Sequence, residues 1–127
     1  MQENILREKA EQCQMILVTG GAYQGKSEFA RRLAEDLQDA PWTVVEDLHL
    51  RIAGLLREKK DPCIGLGQLL AAHSHLILTV NELGCGVVPM DAGDREWREV
   101  TGRICCILAE EASAVYRVTC GIPLRLK

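Results

Sequence analysis

The stretch MILVTGGAYQGKSEFA, Met15 to Ala30, constrains the fold of this chain more than any other. A short apolar run of strand length stops at Gly20 and Gly21, and a helical spacing of apolar residues begins just past Ser27. The pattern G-x-x-x-x-G-K-[ST] is met by Gly20, Gly25, Lys26 and Ser27. Each residue type has a physical role. Glycines let backbone N–H groups converge on phosphate oxygens, and the helix N-terminus behind them adds its dipole. Lysine reaches the β- and γ-phosphates, and the serine hydroxyl suits Mg²⁺. Gly20, Gly21, Ala22, Tyr23, Gln24, Gly25, Lys26 and Ser27 are therefore the candidate contacts for ATP or GTP with Mg²⁺. The plainer alternative is a tight strand–helix turn carrying an incidental lysine.

The rest of the chain continues the alternation. Glu3–Gln14 reads as a short polar helix preceding the fold, and Met15–Thr19 as a buried strand. Ser27–Gln38 has helical spacing through Phe29, Ala30, Leu33, Ala34 and Leu37. Trp42–Asp47 reads as a second strand and Leu48–Lys60 as a helix, broken by KKDP. IGLGQLLAAHS is a weaker helix, and His75–Asn81 is a third strand, apolar on both faces. ELGCGVVP is a glycine-rich loop, Asp91–Glu111 a long helix, AVYRVTCG a fourth strand and IPLRLK an extended tail. Strands apolar on both faces imply helices on both sides of a mostly parallel sheet with right-handed crossovers. The expectation is a P-loop NTPase-like α/β three-layer fold, reduced in size. It is one domain over 1–127, with 1–14 as an N-terminal helical extension.

Composition narrows the partners. At 47% apolar the chain has a core, and a net charge of −3 argues against nucleic acid. The one dense basic run, LREKK, reads as a solvated helix end. The six cysteines include no C-x-x-C pair, so most read as small core residues rather than zinc ligands. Neither a signal peptide nor an apolar run of membrane-spanning length is visible, so the expected setting is cytoplasmic.

A bound Mg²⁺ calls for an acidic partner. The second strand ends in Glu46 and Asp47, and Glu46 is the first choice, on a strand expected beside the Met15–Thr19 strand. Asp47 is the next candidate, and a solvated strand end is the plain reading. His73 and His75 flank a helix-to-strand turn, and a surface turn position is their default reading. His49 alone follows a strand end from which it could approach a nucleotide.

From NELGCGVVP onward the sequence resembles a known family. With GGAYQGKS, the stretches NELGCGVVPMDAGDREWREVTGR and VYRVTCGIPLRLK resemble the bifunctional adenosylcobinamide kinase/adenosylcobinamide-phosphate guanylyltransferases. Asn81, Glu82, Gly84, Gly86, Val88 and Pro89 match the family's N-E-V-G-x-G-I-V-P. Arg95, Trp97, Arg98, Gly102 and Arg103 match its R-x-F-R-D-x-x-G-R element, and Gly121, Pro123 and Lys127 match its end. The middle departs. On this resemblance a strand and a loop are lost between Asp39 and Trp42, and in the family that loop carries the histidine that takes GMP. Tyr23 and Gln24 replace an Arg-Ser pair, Cys105 and Cys106 replace Asn-Gln, and a basic loop residue is missing.

The resemblance implies phosphoryl transfer from a nucleotide to the hydroxyl of a cobinamide corrinoid, with guanylyl transfer lost and a homo-oligomeric assembly. Lys26, Glu46 and Glu82 are the implied catalytic residues. Glu82 would orient the acceptor, or else hold the glycine loop, and Asn81 would face the nucleotide. Ser27 and Glu46 would hold Mg²⁺. Two other readings stand beside it: a nucleotide-binding partner without catalysis, and an oligomer-forming structural subunit using the IPLRLK tail.

Overall fold

The computed structural model describes residues 1–83 and 92–127. The Gly84–Asp91 part of the glycine-rich loop, with the family-matching Gly84, Gly86, Val88 and Pro89, lies outside the described residues. The elements run α1 (Glu3–Glu11), β1 (Gln14–Gly20), α2 (Lys26–Asp36), β2 (Thr43–Val45), α3 (Leu48–Arg57), α4 (Pro62–Ala71), β3 (His75–Asn81), α5 (Ala92–Glu111), β4 (Ala114–Thr119) and β5 (Ile122–Arg125). The sheet order is β2-β3-β1-β4-β5. β1 to β4 run parallel to one another, and β5 turns back antiparallel on β4. The α/β class and the mostly parallel sheet follow the sequence reading.

The alternation of side chains along a strand divides the core into two layers. Met15 and Leu17 of β1, Leu76, Leu78 and Val80 of β3 and Val115 of β4 face α1, α3, α4 and α5. Ile16, Val18, Ile77, Ala114 and Val118 face α2, where Phe29, Ala30, Leu33, Ala34 and Leu37 complete the layer. Three layers result, with β1 at the centre of the sheet.

Four details differ from the sequence reading. β2 is not beside β1, because β3 lies between them. The reason is length and burial. β3 has seven residues, five of them consecutively buried, while β2 has three, of which only Val45 is buried. The strand with apolar faces on both sides takes the interior, and the short half-exposed one takes the edge.

The N-terminal helix is no appendage. Leu6 and Ala10 are buried in the main cluster, and Arg103 of α5 pairs with Glu3 at 2.8 Å. The KKDP break is also the start of α4. Asp61 caps it, accepting the Cys63 N–H at 2.9 Å, and Pro62 occupies the first turn. Finally, the extended tail is an edge strand, and Lys127 donates to the carbonyls of Ala109 and Glu110 at the α5 C-terminus.

Candidate functional site

The carboxyl ends of β1, β2 and β3 open on a cleft of about 630 Å³, a size typical of small-ligand sites. Its floor is the turn from β1 into α2. Gly20 ends the strand with φ 156°, and a Cβ there would stand 2.5 Å from the Val118 carbonyl oxygen. Only glycine lets the two strands approach so closely. Tyr23 (φ 58°) and Gly25 (φ 92°) are both left-handed and bend the loop back toward the helix. Gly25 is the N-cap of α2 and provides no side-chain cap, so the first amides of the helix receive none from it.

Lys26 is the first residue of α2 and is only 7% exposed. Its ammonium donates to the Gly21 carbonyl at 2.6 Å. Burial pushes its pKa down, opposed by the nearby carboxylates of Asp47 and Glu82. A buried cation at the mouth of a glycine-containing turn is a group that an anion would complete. Ser27, Glu28 and Arg31 continue along the helix into the cleft. Arg31 was not read from the sequence. Its position four residues after Ser27, on the same helix face, was the available signal.

The two acidic residues ending β2 part company. Asp47 lines the cleft together with Lys26 and Ser27. Its backbone is left-handed (φ 60°), and its N–H donates to Thr79 Oγ1 at 3.0 Å. Glu46 instead lines a neighbouring depression with Val44, Val45, Arg31 and Arg51. The structure thus puts the first-choice carboxylate outside the cleft and the second inside it.

His49 enters the cleft as well. It lies in the first turn of α3 and is 5% exposed. Its Nδ1 accepts the Asn81 N–H at 3.1 Å, which puts the ring proton of the neutral form on Nε2. The Trp97 indole N–H donates to the His49 carbonyl at 2.7 Å, fixing the helix against α5. Burial lowers the His49 pKa; Asp47 opposes this, and Lys26 adds to it. His49 thus reaches the cleft from just past the end of β2, and the apolar Leu48 and Ile52 bury α3 beside it. His73 and His75 stay at the opposite end of β3. His73 Nδ1 is 3.0 Å from the Leu69 carbonyl, and His75 packs edge-on to Trp42.

Asn81 lines the cleft. Glu82 does not line it. Its N–H donates to the Gly20 carbonyl at 2.9 Å. Its carboxylate meets the Arg117 guanidinium with two contacts, of 2.8 and 3.1 Å. Since β1 lies between β3 and β4, this pair bridges the end of β1 just beyond Gly20. Arg117 was missed in the sequence, and nothing short-range marks a partner 35 residues away.

The cysteines divide. Cys13 and Cys63 are buried and Cys105 is half-buried, but Cys106 and Cys120 are exposed. Among the described residues no group of three or more His, Cys, Asp or Glu side chains is placed to hold a metal. The cleft lining does offer hard oxygen donors on Ser27, Glu28 and Asp47. That donor set suits a Mg²⁺ held by one or two protein oxygens with phosphates completing its shell.

With this geometry in place, the comparison with known families decides the relationship. Residues 38–126 match the model of the cobinamide kinase/cobinamide phosphate guanyltransferase family. The chain belongs to that family. The match to the cobinamide kinase/cobinamide phosphate guanyltransferases begins beyond the Gly20–Ser27 loop and α2, and covers β2 through β5. It therefore contains Asp47, His49, Asn81 and Glu82, while Lys26 and Ser27 stand on their own geometry. No curated protein matches the chain significantly. Among the described residues no helix is long and apolar enough to cross a membrane.

Proposed function

We propose that the chain binds ATP or GTP with Mg²⁺ in the cleft and transfers the γ-phosphoryl group to the hydroxyl of a cobinamide-type corrinoid. The observation that carries the reading is the buried Lys26 ammonium, set among the glycine-loop backbone and opposite Asp47. Family membership supplies the acceptor class.

The chain's own groups act by placement and charge. The loop amides and the α2 N-terminus cradle the phosphates. Lys26 and Arg31 offset their charge. Ser27 and Asp47 supply oxygens for the metal, which when bound neutralises the β- and γ-phosphate oxygens. Glu46 is retained only as the competing carboxylate, to be separated by mutation. The acceptor oxygen forms a bond to the γ-phosphorus as the bond to the β–γ bridging oxygen breaks. The nucleoside diphosphate leaves, and the acceptor proton passes to solvent. Glu82, held by Arg117, ties the ends of β3 and β4 across Gly20 rather than meeting the acceptor directly.

Covalent guanylyl transfer is not part of the proposal. A histidine nucleophile attacks through an unprotonated ring nitrogen. His49 Nδ1 is occupied by the Asn81 N–H, and Nε2 carries the proton. Cobinamide-dependent release of diphosphate nucleotide, measured with and without Mg²⁺, tests the kinase reading. Nucleotide binding without such turnover would favour the non-catalytic binding partner instead. A protein-bound label after incubation with α-labelled GTP would overturn the exclusion of guanylyl transfer.

A further inference from the structure

The glycine loop is fastened to a part of the chain 96 residues away. β4 and β5 are joined by a two-residue turn, Cys120 and Gly121, with both residues left-handed (φ 51° and 75°). This is the geometry that matches the twist of a tight hairpin. Both turn amides point at one residue of the loop. The Cys120 N–H donates to Gln24 Oε1 at 2.6 Å, and the Gly121 N–H donates to the Gln24 carbonyl at 2.8 Å. The backbones also touch, since a Cβ on Gly25 would stand 3.2 Å from Gly121 Cα. Gln24 sits between the two left-handed residues Tyr23 and Gly25, so it is the hinge of the loop's bend.

Resting on the nucleotide reading above, we propose that the β4–β5 turn is a clasp that presets the loop for phosphate, and that Gln24 is its positioning residue. Its amide oxygen accepts from the Cys120 N–H and is thereby committed to the turn. Its effect passes through the backbone on either side. Without the clasp, the bend at Tyr23 and Gly25 competes with extended forms, and a nucleotide must restore it at the expense of affinity.

Gln24→Met separates this role from packing, because it keeps the reach of the side chain and removes the acceptor. Calorimetric titration with ATP and GTP in Mg²⁺ should show affinity falling about three- to tenfold, the range for one neutral hydrogen bond. The melting temperature without nucleotide should fall by only the few degrees that one hydrogen bond is worth, with the fold intact by circular dichroism. In the unaltered chain, nucleotide should slow amide hydrogen exchange at both Cys120 and Gly121. In Gln24→Met the Cys120 protection should be lost. Wild-type binding with unchanged affinity in Gln24→Met, or no nucleotide-linked protection of the turn amides, overturns the clasp and leaves the nucleotide reading intact. Flat titrations for the wild type overturn the nucleotide reading itself.

Discussion

Gly20 and Gly102 should respond to alanine in opposite directions, and the difference can be worked from the structure. At Gly20 the added Cβ meets the Val118 carbonyl oxygen at 2.5 Å. A carbon–oxygen contact is comfortable at roughly 3.3–3.6 Å, so the strands must part by about 1 Å. They are poorly able to do so. β1 and β4 are paired from Ile16–Ala114 through Thr19–Arg117, and the Val118 side chain is fully buried on the α2 side. Forced overpacking of this kind costs about 1–3 kcal/mol, and the φ of 156° adds strain for any residue with a Cβ. A loss of about 3 kcal/mol corresponds to a melting temperature lower by roughly 10 °C in a domain of this size. Gly102, within α5, has nothing within 4 Å of an added Cβ. Alanine there should stabilise by about 0.5–1 kcal/mol through helix propensity and a less flexible unfolded chain. Thermal and urea unfolding, followed by circular dichroism, measure both. A neutral Gly20→Ala would refute the close approach of β1 and β4. An equal loss at Gly102 would show that α5 packs against something there.

Three further outcomes follow from the cleft. Lys26→Ala should abolish detectable binding of ATP and GTP while leaving the fold intact by circular dichroism; unchanged affinity in a titration would sink the nucleotide assignment. Asp47→Asn should weaken Mg²⁺-dependent nucleotide binding by about tenfold, or about 1.4 kcal/mol, with Glu46→Gln nearly silent; the reverse order would restore Glu46 as the metal carboxylate. His49 is held neutral by burial, so its folded pKa lies below its unfolded value, and stability should decline as the pH falls from about 6.5. His49→Asn, which keeps an acceptor for the Asn81 N–H, should flatten that part of a stability–pH curve, and an unaltered slope would count against the buried neutral ring.

How much of this was legible in the sequence depended on the range of the signal. β3 is bounded as read, His75 to Asn81, because a continuous apolar run flanked by polar residues has only one placement. The loop from Gly20 to Ser27 was equally clear, since its glycines serve local backbone geometry. The choice between Glu46 and Asp47 was not. Neighbours at a strand end point to opposite sides, and the sequence does not say which side holds the cleft. That His49 could approach a ligand was legible from its place past a strand end, but its burial and its partner Asn81 were not, because both depend on α3 docking beside β3. The pairing of Arg117 with Glu82 depends on β1 lying between their strands, a fact of topology. The turn at Cys120–Gly121 does carry a local sign, a glycine before the alternating IPLRLK, but AVYRVTCG alone reads equally as a strand ending before an extended tail.

The place of β1 in the sheet has a consequence for the order of assembly. Its neighbours are β3, reached through pairs such as Gln14–His75, and β4, reached through pairs such as Ile16–Ala114. Neither is local, and contacts of long sequence separation are slow to form because loop closure precedes their reward. During synthesis β1 therefore waits with both edges bare until β3 emerges, and with one edge bare until β4 follows. Its run Met15–Val18 is apolar on both faces, the composition most prone to pair with another chain in that interval. The strand that ends in the glycine loop is thus the one that depends most on late-made partners, and a ribosome paused between β3 and β4 would expose it for longest.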